Sequence, residues 1–292
     1  MNAAADKQTN ANRKLTRSAS LGRSRGGAAA TGELSGQVGV ITGGSRGIGQ
    51  AIAFALARSG ADIALTYHGV SKEDHTQAQE TVRIIRRLGR RVISAPVDAT
   101  DEQASEAFID SVIEKLGRVD IMVNNVGGAD MVSTEGYVKK PMAYWRQQFN
   151  KNFFSAVLYS RLAIKNMMLH SRGNVINISS IHACRIFNTQ FVPYACSKVA
   201  MNHLTRSLAV EMAPHNIRVN CIAPGLIRTE LTERRYDASW WSKVNERIPM
   251  RRPGTPAEVG EVALFLVSSR SSYVTGQVIY VDGGGADGGS NL

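Results

Sequence analysis

From Leu34 onward, short apolar runs alternate with amphipathic stretches, without a break and without an internal repeat. The runs, of which Val38–Thr42 is the first, are nearly all apolar, which is typical of strands that are buried on both faces. In the stretches between them, apolar residues recur at helical spacing, as at Ile48, Ile52 and Leu56. This alternation predicts an α/β fold in which helices cover both faces of a doubly wound, seven-stranded parallel sheet. We expect a single domain over residues 34–283.

The same pattern predicts where the elements begin and end. The predicted strands are Val38–Thr42, Ile63–Tyr67, Val92–Val97, Val119–Asn124, Asn174–Ser179, Val219–Ala223 and Gln277–Val281. The two longest predicted helices cover 142–168 and 194–213. Two other helices are expected to begin at capping boxes, formed by Thr100 with Gln103 and by Thr255 with Glu258.

The ends of the chain differ from its middle in composition. The formal net charge is +11, and residues 1–31 carry six Lys or Arg side chains against one Asp. This stretch has too few apolar residues to offset the entropy lost on ordering, so we expect a disordered basic arm over residues 1–33. It would contact an anionic surface, act as an organellar targeting peptide, or be a dispensable extension. The glycine-rich residues 284–292 are expected to form a flexible tail.

The composition argues against several classes of protein. No apolar run reaches the ~20 residues of a membrane span, and the N-terminus lacks the apolar core of a secretory signal. The three cysteines, Cys184, Cys196 and Cys221, form no CxxC pair, so we expect a reduced, cytoplasmic setting. His182 and Cys184 have no second pair at matching spacing, so no metal site is expected. The arm lacks interleaved aromatic residues, so nucleic acid is not an expected partner.

A glycine-rich turn, Thr42-Gly43-Gly44-Ser45-Arg46-Gly47-Ile48-Gly49, joins the first predicted strand to the first predicted helix. Glycines let the backbone approach a pyrophosphate closely, and the free N–H groups and dipole of a helix N-terminus hold the anion. In this strand–turn–helix setting, the turn indicates a dinucleotide-binding site.

Tyr194 and Lys198 form the most informative pair of polar residues in the chain. Pro193 suits the first turn of a helix, and residues four apart on a helix share one face. A cation beside a phenol favours the phenolate and lowers the pKa of the tyrosine. With Ser180 upstream, the pair predicts a general acid/base that moves a proton on or off an alcohol oxygen.

The glycine turn has the spacing Thr-Gly-x-x-x-Gly-x-Gly and the pair has the spacing Tyr-x-x-x-Lys, so that residues 34–283 resemble the short-chain dehydrogenase/reductase family. The resemblance implies a Rossmann fold and an NAD(P)-dependent oxidoreductase that acts on CH–OH or carbonyl groups. Asn124-Asn125-Val126-Gly127 matches the family's Asn-Asn-Ala-Gly segment, and Asp98 matches its adenine contact. Pro224-Gly225, followed by Thr229, matches its contact to the nicotinamide amide. The implied cofactor-binding residues are Gly43, Ser45, Arg46, Gly47, Ile48, Gly49, Tyr67, His68, Asp98, Ala99, Asn125, Gly127, Tyr194, Lys198, Pro224, Gly225, Ile227 and Thr229.

By the same resemblance, a catalytic tetrad is formed by Asn152, Ser180, Tyr194 and Lys198. Tyr194 would exchange the proton, Ser180 would hold the substrate oxygen, and Lys198 would lower the pKa of Tyr194 and bind the ribose. Asn152 would help to hold a water chain that leads to Lys198. The segment between Ser180 and Tyr194 is slightly longer than is usual in the family, which leaves Ser179 as a rival for the serine role.

The choice of dinucleotide depends on the end of the second strand. A carboxylate there would accept from the ribose hydroxyls of NAD(H) and would repel a 2′-phosphate. The chain reads Tyr67-His68-Gly69 at this point and has no acid before Glu73. Arg46, in the glycine turn, carries a guanidinium that suits a 2′-phosphate. Both features favour NADP(H) over NAD(H).

Residues 226–252 match the mobile segment that covers the substrate in this family. Its Trp240 and Trp241 would line an apolar pocket or pack on the segment itself. The sequence does not choose among oxoacyl, sugar, steroid and aromatic-ketone substrates. The resemblance also implies a homo-oligomer, in the first place a homotetramer.

Two other functions stay open at this point. One is a catalytically inactive, dinucleotide-binding regulatory protein, against which the complete tetrad argues. The other is a nucleic-acid-binding protein that uses the basic arm.

Overall fold

The computed structural model describes residues 32–129, 136–186 and 189–286. Seven strands form one sheet in which all neighbours run parallel, in the order β3-β2-β1-β4-β5-β6-β7. The strands are β1 (Val38–Ile41), β2 (Asp62–Tyr67), β3 (Val92–Pro96), β4 (Ile121–Asn124), β5 (Gly173–Ile178), β6 (Ile217–Pro224) and β7 (Val278–Val281). The predicted seven-stranded parallel sheet is confirmed, and each predicted strand end lies within two residues of the observed one.

Helices connect the strands. They are α1 (Gly47–Arg58), α2 (Lys72–Arg87), α3 (Glu102–Leu116), α4 (Met142–Phe149), α5 (Ser155–Leu169), α6 (Val192–Met212), α7 (Glu230–Arg235), α8 (Ala238–Arg247) and α9 (Pro256–Val267). The predicted capping box of α9 is confirmed, because the Thr255 side chain accepts from the Glu258 N–H and the Glu258 side chain accepts from the Thr255 N–H.

The hydrophobic core lies on both sides of the sheet. On one side, α1 and α9 pack apolar side chains such as Ile52 and Val259, and on the other side α3 and α5 pack residues such as Phe108 and Met167. Successive residues of each strand point into opposite layers. Burial on both sides therefore explains why the strands are apolar at nearly every position.

The strand order places a crevice at the centre of the sheet. β1 lies between β2 and β4. The connection after β1 leads to β2 on one side, and the connection after β4 leads to β5 on the other side. In open α/β sheets, ligands bind beyond the carboxyl ends of the strands where the order reverses. The glycine turn follows β1, and the segment that begins with Asn125 follows β4, so both lie at this crevice.

One prediction about a helix start was wrong. The N-cap of α3 is Asp101, whose carboxylate accepts from the Ala104 N–H at 3.0 Å. Thr100 does not cap this helix, because its hydroxyl and its N–H both donate to Asp98. The predicted helix over 142–168 is helical throughout, but it contains a π-helical segment, Asn150–Phe154, between α4 and α5.

Some expectations fall wholly or partly outside the described chain. Residues 1–31 and 287–292 lie outside it, so the disordered arm and the flexible tail stay predictions. Glu33, which was assigned to the arm, forms an ion pair with Arg270 at 2.9 Å. At the other end, the Ala286 N–H donates to Asp282 at 2.6 Å.

In the part of the chain that the structure describes, no helix has the length and apolar character needed to cross a membrane. Within the same residues, no three His, Cys, Asp or Glu side chains are grouped as metal ligands would be.

Candidate active site

The glycine turn has a backbone that requires glycine at several positions. Gly43 has a φ of 63° and Gly47 a φ of 55°, in the left-handed region that side chains with a Cβ disfavour. A Cβ on Gly49 would collide with the carbonyl oxygen of Gly43, so the first turn of α1 packs directly on the turn that precedes it. The result is a tightly folded backbone that leaves room above it.

The N-terminus of α1 has no side-chain cap. Its N-cap residue is Arg46, which makes no capping hydrogen bond, and its first turn contains no acidic residue. By contrast, α2, α3, α7, α8 and α9 are each capped by a Ser, Thr or Asp side chain, whereas α4, α5 and α6 are uncapped like α1. Because α1 also follows the glycine turn at the crevice, its uncapped end fits an anion, which would satisfy N–H groups that no side chain covers.

The segment after β4 is fixed to the end of β1. The Thr42 hydroxyl accepts from the N–H groups of Asn125 and Val126, at 3.0 and 3.1 Å. The Asn125 side-chain amide donates in return to the carbonyl oxygens of Thr42 and Gly43. These bonds hold the two walls of the crevice in one arrangement.

Beneath the crevice lies a buried polar network that the sequence did not predict. The Asn124 amide donates to Ser160 at 2.8 Å and to Asn177 at 2.7 Å, and the Asn177 amide donates to Thr205 at 2.9 Å. The network links the ends of β4 and β5 to α5 and α6. Bonds in such a dry environment are strong and make the arrangement rigid.

Gly127 brings the crevice close to two residues of the predicted tetrad. A Cβ on Gly127 would lie 2.6 Å from Asn152 Oδ1 and 3.0 Å from Lys198 Nζ. Asn152, which is fully buried, accepts from the Gly128 N–H at 2.7 Å and donates to the Gln148 carbonyl oxygen at 3.0 Å. Asn152 lies in the π-helical segment, which turns its side chain towards Gly128.

Lys198 lies on α6 with its amine below the end of β5. Only 3% of the residue is exposed, and Nζ donates to the Ile178 carbonyl oxygen at 2.8 Å. Burial lowers the pKa of Lys198 to about 8, because the charged amine loses hydration.

Tyr194 lies one helical turn from Lys198, as predicted, and Lys198 Nζ is 5.7 Å from the centre of its ring. Burial raises the pKa of Tyr194, and a hydrogen bond with Ser180 lowers it. The sequence predicted that Lys198 would lower the pKa of Tyr194. The pKa is instead raised, because desolvation outweighs the effect of the neighbouring groups. The ring of His182 packs edge-on against Tyr194, with 5.8 Å between the ring centres.

The two candidate serines have different surroundings. Ser180 Oγ accepts from the His182 N–H at 3.2 Å and lies close enough to Tyr194 to lower the pKa of its phenol. Ser179 Oγ instead donates to the Lys198 carbonyl oxygen at 3.2 Å. Of the two serines, Ser180 is therefore the one that acts on the tyrosine.

At the end of β2, Arg46 forms an ion pair with Asp74, with 3.3 Å between Nη1 and Oδ1. Half of the Arg46 side chain is exposed, whereas Asp74 is largely buried by its capping box with Ser71. His68 is exposed, and Tyr67 Oη lies 3.0 Å from Nδ1 of His75. The side of the crevice that would face an adenosine ribose therefore presents a guanidinium and an imidazole.

Asp98 and Ala99 follow β3, next to this end of the crevice. Asp98 is exposed, and hydrogen bonds from Thr100 lower its pKa. Ala99 is buried in the core layer that faces α3.

The residues predicted to contact the nicotinamide follow β6. Pro224 ends the strand, and the Gly225 N–H donates to Val281 at 2.9 Å. Ile227 is buried and forms a β-bridge with Gly254. Thr229 caps α7, and its methyl carbon lies 3.6 Å from the position of a Cβ on Gly47, which places it against the glycine turn.

The segment over 226–252 contains α7 and α8. Tyr236 and Trp240 are stacked, with 3.6 Å between their ring centres, and Trp241 lies edge-on to both. Trp241 is buried and carries the guanidinium of Arg228 over its ring at 5.3 Å. The tryptophans thus pack on the segment itself, one of the two arrangements expected.

The structure brings Ser180, Tyr194, Lys198 and Asn152 together beside Gly127, and it arranges the predicted cofactor residues along the same edge of the sheet. Sequence reasoning missed Gly128, Gln148 and the Ile178 carbonyl. The Gly127-Gly128 doublet was an available signal for the first of these. A backbone carbonyl has no signal in a sequence.

The chain is similar in sequence to several known proteins. Residues 43–285 match the family model described as enoyl-(acyl carrier protein) reductase. Glucose 1-dehydrogenase 2 of Bacillus subtilis (strain 168) is 35% identical over 86% of this chain and 95% of its own length. The 7alpha-hydroxysteroid dehydrogenase of Escherichia coli (strain K12) is 36% identical over 86% of this chain and 95% of its own length.

Solved structures match over the same part of the chain. A 7alpha-hydroxysteroid dehydrogenase complexed with NADH and 7-oxo glycochenodeoxycholic acid superposes with a TM-score of 0.79 at 36% identity, covering 86% of this chain and 95% of that one. A putative short-chain alcohol dehydrogenase from Sinorhizobium meliloti 1021 also has a TM-score of 0.79, at 38% identity, covering 86% of this chain and 97% of that one. With its fold and crevice, these matches show that the chain belongs to the short-chain dehydrogenase/reductase family and is an oxidoreductase acting on CH–OH or carbonyl groups.

Proposed function

We propose that this enzyme transfers a hydride between NADP(H) and a carbonyl or secondary alcohol, with Tyr194 as the general acid/base. The observation that carries the proposal is the meeting of four side chains at one point of the crevice. Ser180 lies close enough to Tyr194 to lower its pKa, Lys198 Nζ is 5.7 Å from the centre of the tyrosine ring, and Asn152 and Lys198 both border Gly127. A proton donor, an oxygen-binding hydroxyl and a cation thus lie within one turn of a helix and the adjoining strand end.

The crevice fits a dinucleotide. Gly43, Gly47 and Gly49 keep the glycine turn compact at the end of β1, and the uncapped N-terminus of α1 supplies N–H donors. When bound, the nicotinamide dinucleotide supplies or accepts the hydride. The residues that we propose to hold it are those named from the sequence, from the glycine turn through Asp98 and Gly127 to Thr229.

In the reduction direction, Tyr194 Oη would give its proton to the carbonyl oxygen of the substrate as that oxygen becomes an alkoxide. The Ser180 hydroxyl would donate to the same oxygen and stabilise its developing charge. The raised pKa of Tyr194 keeps the phenol protonated and able to act as the donor. In the oxidation direction, Tyr194 Oη must instead take up the proton of the substrate alcohol, and a charged Lys198 favours the ionised phenolate that can accept it.

Lys198 would serve as the next carrier of the proton. With its pKa at about 8, it exchanges protons near neutral pH. Its amine is held by the Ile178 carbonyl, and Gly127 leaves the path on that side open because it has no side chain. Asn152, fixed by Gly128 and Gln148, would position the water that links Lys198 to solvent.

The preference for NADP(H) is supported by the charges beside the crevice. Arg46 is half exposed, and His68 occupies the place where a carboxylate would hold NAD(H). Two acids of α2 near Arg46 each have a cationic partner, since Asp74 is paired with Arg46 and Glu73 with Arg234. Their negative charge is therefore partly compensated on this side of the crevice.

We propose a homotetramer in the cytoplasm. Exposed apolar side chains on α5 and α6 support an assembly, among them Leu169 and Val210, each 79% exposed. Apolar surface of this kind marks regions where proteins associate. Closed assemblies with two-fold symmetry are the commonest arrangement.

The proposed activity is tested by following NADPH oxidation with a panel of ketones, β-ketoesters, quinones and sugar lactols. We expect turnover with at least one class, and a kcat lower by about a hundredfold or more in the Tyr194→Phe variant assayed beside the wild type. Turnover close to the wild-type rate in this variant would assign the proton transfer to another group. Absence of NADPH and NADH binding by the purified protein would reject the dinucleotide site altogether.

A further inference from the structure

Helix α7 follows β6 and is held mainly by polar contacts. None of its six residues is buried, and Leu231, its one large apolar residue, is 56% exposed. A helix this short is not stable by itself, so its position must come from tertiary contacts. The side chains that reach from α7 to the rest of the fold therefore decide where it lies.

Two such side chains contact α2. Arg234 donates to the carboxylate of Glu73 through both terminal nitrogens, at 3.2 and 2.5 Å, and to Glu230 at 2.6 Å. Glu230 in turn accepts from the Gln77 side chain at 2.8 Å. These four residues, Glu73, Gln77, Glu230 and Arg234, form a cross-helix cluster between α2 and α7.

The cluster lies over the glycine turn. Thr229, at the start of α7, is placed against Gly47, and Arg46 reaches the residue after Glu73 in α2. Gln77 and Glu230 also border a cavity of about 430 Å³, whose other walls come from the glycine turn, from α1, from Arg228 and Thr229 and from the start of α9. Glu73 and Gln77 belong to α2, which follows β2. Glu230 and Arg234 belong to α7, which follows β6. The cluster thus joins the two walls beside the glycine turn, where the pyrophosphate is proposed to bind.

We infer that the pairing of Glu73 with Arg234 is a latch that retains the bound dinucleotide, so that release requires this ion pair to open. The inference rests on the proposed dinucleotide site and concerns residues outside the tetrad and the predicted cofactor set. Glu73 and Arg234 are positioning residues, because they act by holding α7 in place. About half of each side chain is exposed, at 48% and 58%.

The exposure of the pair sets the size of the expected effect. Exposed ion pairs contribute modestly, and we expect release to become roughly two- to fivefold faster when this pair is removed. High salt should also speed release from the wild type, because it screens exposed charges. A modest effect of this kind suits a contact that must open in every catalytic cycle.

The test is a double-mutant cycle on the rate of NADH release, followed by the fluorescence of the nicotinamide in stopped flow. Glu73→Gln and Arg234→Gln should each speed release, and the double variant should be no faster than either single variant. The matched control is Glu261→Gln, which breaks the exposed pair between α9 and Arg58 of α1 and should leave release unchanged. Additive effects, or release as slow as in the wild type, would overturn the latch.

Measurements with both NADPH and NADH test the latch separately from the proposed cofactor preference. Glu73→Gln removes a negative charge near Arg46, and Arg234→Gln removes a positive charge, so the two changes should shift the NADPH-to-NADH affinity ratio in opposite directions. Their effect on NADH release should nevertheless be the same. A wild type that prefers NADH would reject the preference and leave the latch standing, whereas a wild type that binds neither dinucleotide would reject both.

Discussion

The amine of Lys198 is 5.7 Å from the centre of the Tyr194 ring, and its hydrogen bond goes to the Ile178 carbonyl rather than to the phenol. The lysine therefore acts on the tyrosine through space. Its influence depends on its charge and on how far burial has shifted its pKa. Several of the expected properties of the enzyme follow from this relationship and from the groups around it.

Replacing Tyr194 by Phe should lower kcat by about a hundredfold to ten-thousandfold, because the variant lacks the proposed proton donor. Phenylalanine keeps the ring that packs against His182, so dinucleotide affinity should change little. Steady-state kinetics and a fluorescence titration with NADPH measure the two quantities. A variant that loses binding and turnover together would show that Tyr194 has a structural role.

Replacing Ser180 by Ala should reduce kcat by about a hundredfold or more, since the hydroxyl is proposed to stabilise charge on the substrate oxygen. Ser179→Ala serves as the matched control and should retain most activity, because that hydroxyl bonds to the Lys198 backbone. Parallel assays of both variants decide between the serines. The opposite ranking would move the role to Ser179.

Replacing Lys198 by Met should remove a gain in stability that the dinucleotide-free wild type shows as the pH rises from 7 to 10. The pKa of Lys198 is about 8 in the folded state, below its ordinary value of 10.5, so folding releases a proton between these pH values. The wild type consequently gains stability as the pH rises through this window, by roughly 3 kcal/mol at most. The variant lacks this dependence.

Urea unfolding of the wild type and of the Lys198→Met variant at several pH values measures the effect. The exposed Lys165 on α5 provides a control, since Lys165→Met should leave the pH dependence of stability as it is in the wild type. Parallel stability curves for wild type and Lys198→Met between pH 7 and pH 10 would contradict the expectation.

Replacing Arg46 by Ala should remove most of the preference for NADPH, a loss of about ten- to a hundredfold in kcat/KM with NADPH. The effect with NADH should be small, and Arg58→Ala at the other end of α1 should affect neither dinucleotide. His68→Asp should favour NADH, because a carboxylate there would accept from the ribose and repel the phosphate. Equal losses with both dinucleotides in Arg46→Ala would count against the assignment.

Removal of residues 1–31 should leave the melting temperature and kcat nearly unchanged. The first strand begins only at Val38, and the removed stretch has few apolar residues. Thermal unfolding and activity assays of the shortened protein provide the measurements. A fall of many degrees in the melting temperature would mean that this stretch contributes to the folded domain.

The sequence predicted the sheet well because strands buried on both faces leave a simple signal, as in β1 and β4, where every residue is buried. The capping box at Thr255 was equally easy to predict from the sequence, since it is a purely local interaction. At the start of α3 two neighbouring residues could serve as the cap. Thr100 was the wrong choice because Asp98 holds its hydroxyl.

The contacts of the candidate site were harder to predict. Its residues were identified from motif spacing, but the bond from Lys198 to the Ile178 carbonyl depends on packing that spacing does not describe. The pairing of Arg46 with Asp74 had a partial signal, because Ser71-x-x-Asp74 is a capping pattern that fixes where the carboxylate lies. Which cation would meet that carboxylate depended on the three-dimensional fold.

The π-helical segment between α4 and α5 gives that stretch of chain an unusual sensitivity to its length. An α-helix turns by about 100° for each residue, so losing one residue from Asn150–Phe154 would rotate α4 by that amount relative to α5. Asn152 could then no longer face Gly128 while α5 kept its packing against β4. Sequences that diverge from this one can therefore exchange side chains here more readily than they can shorten the chain.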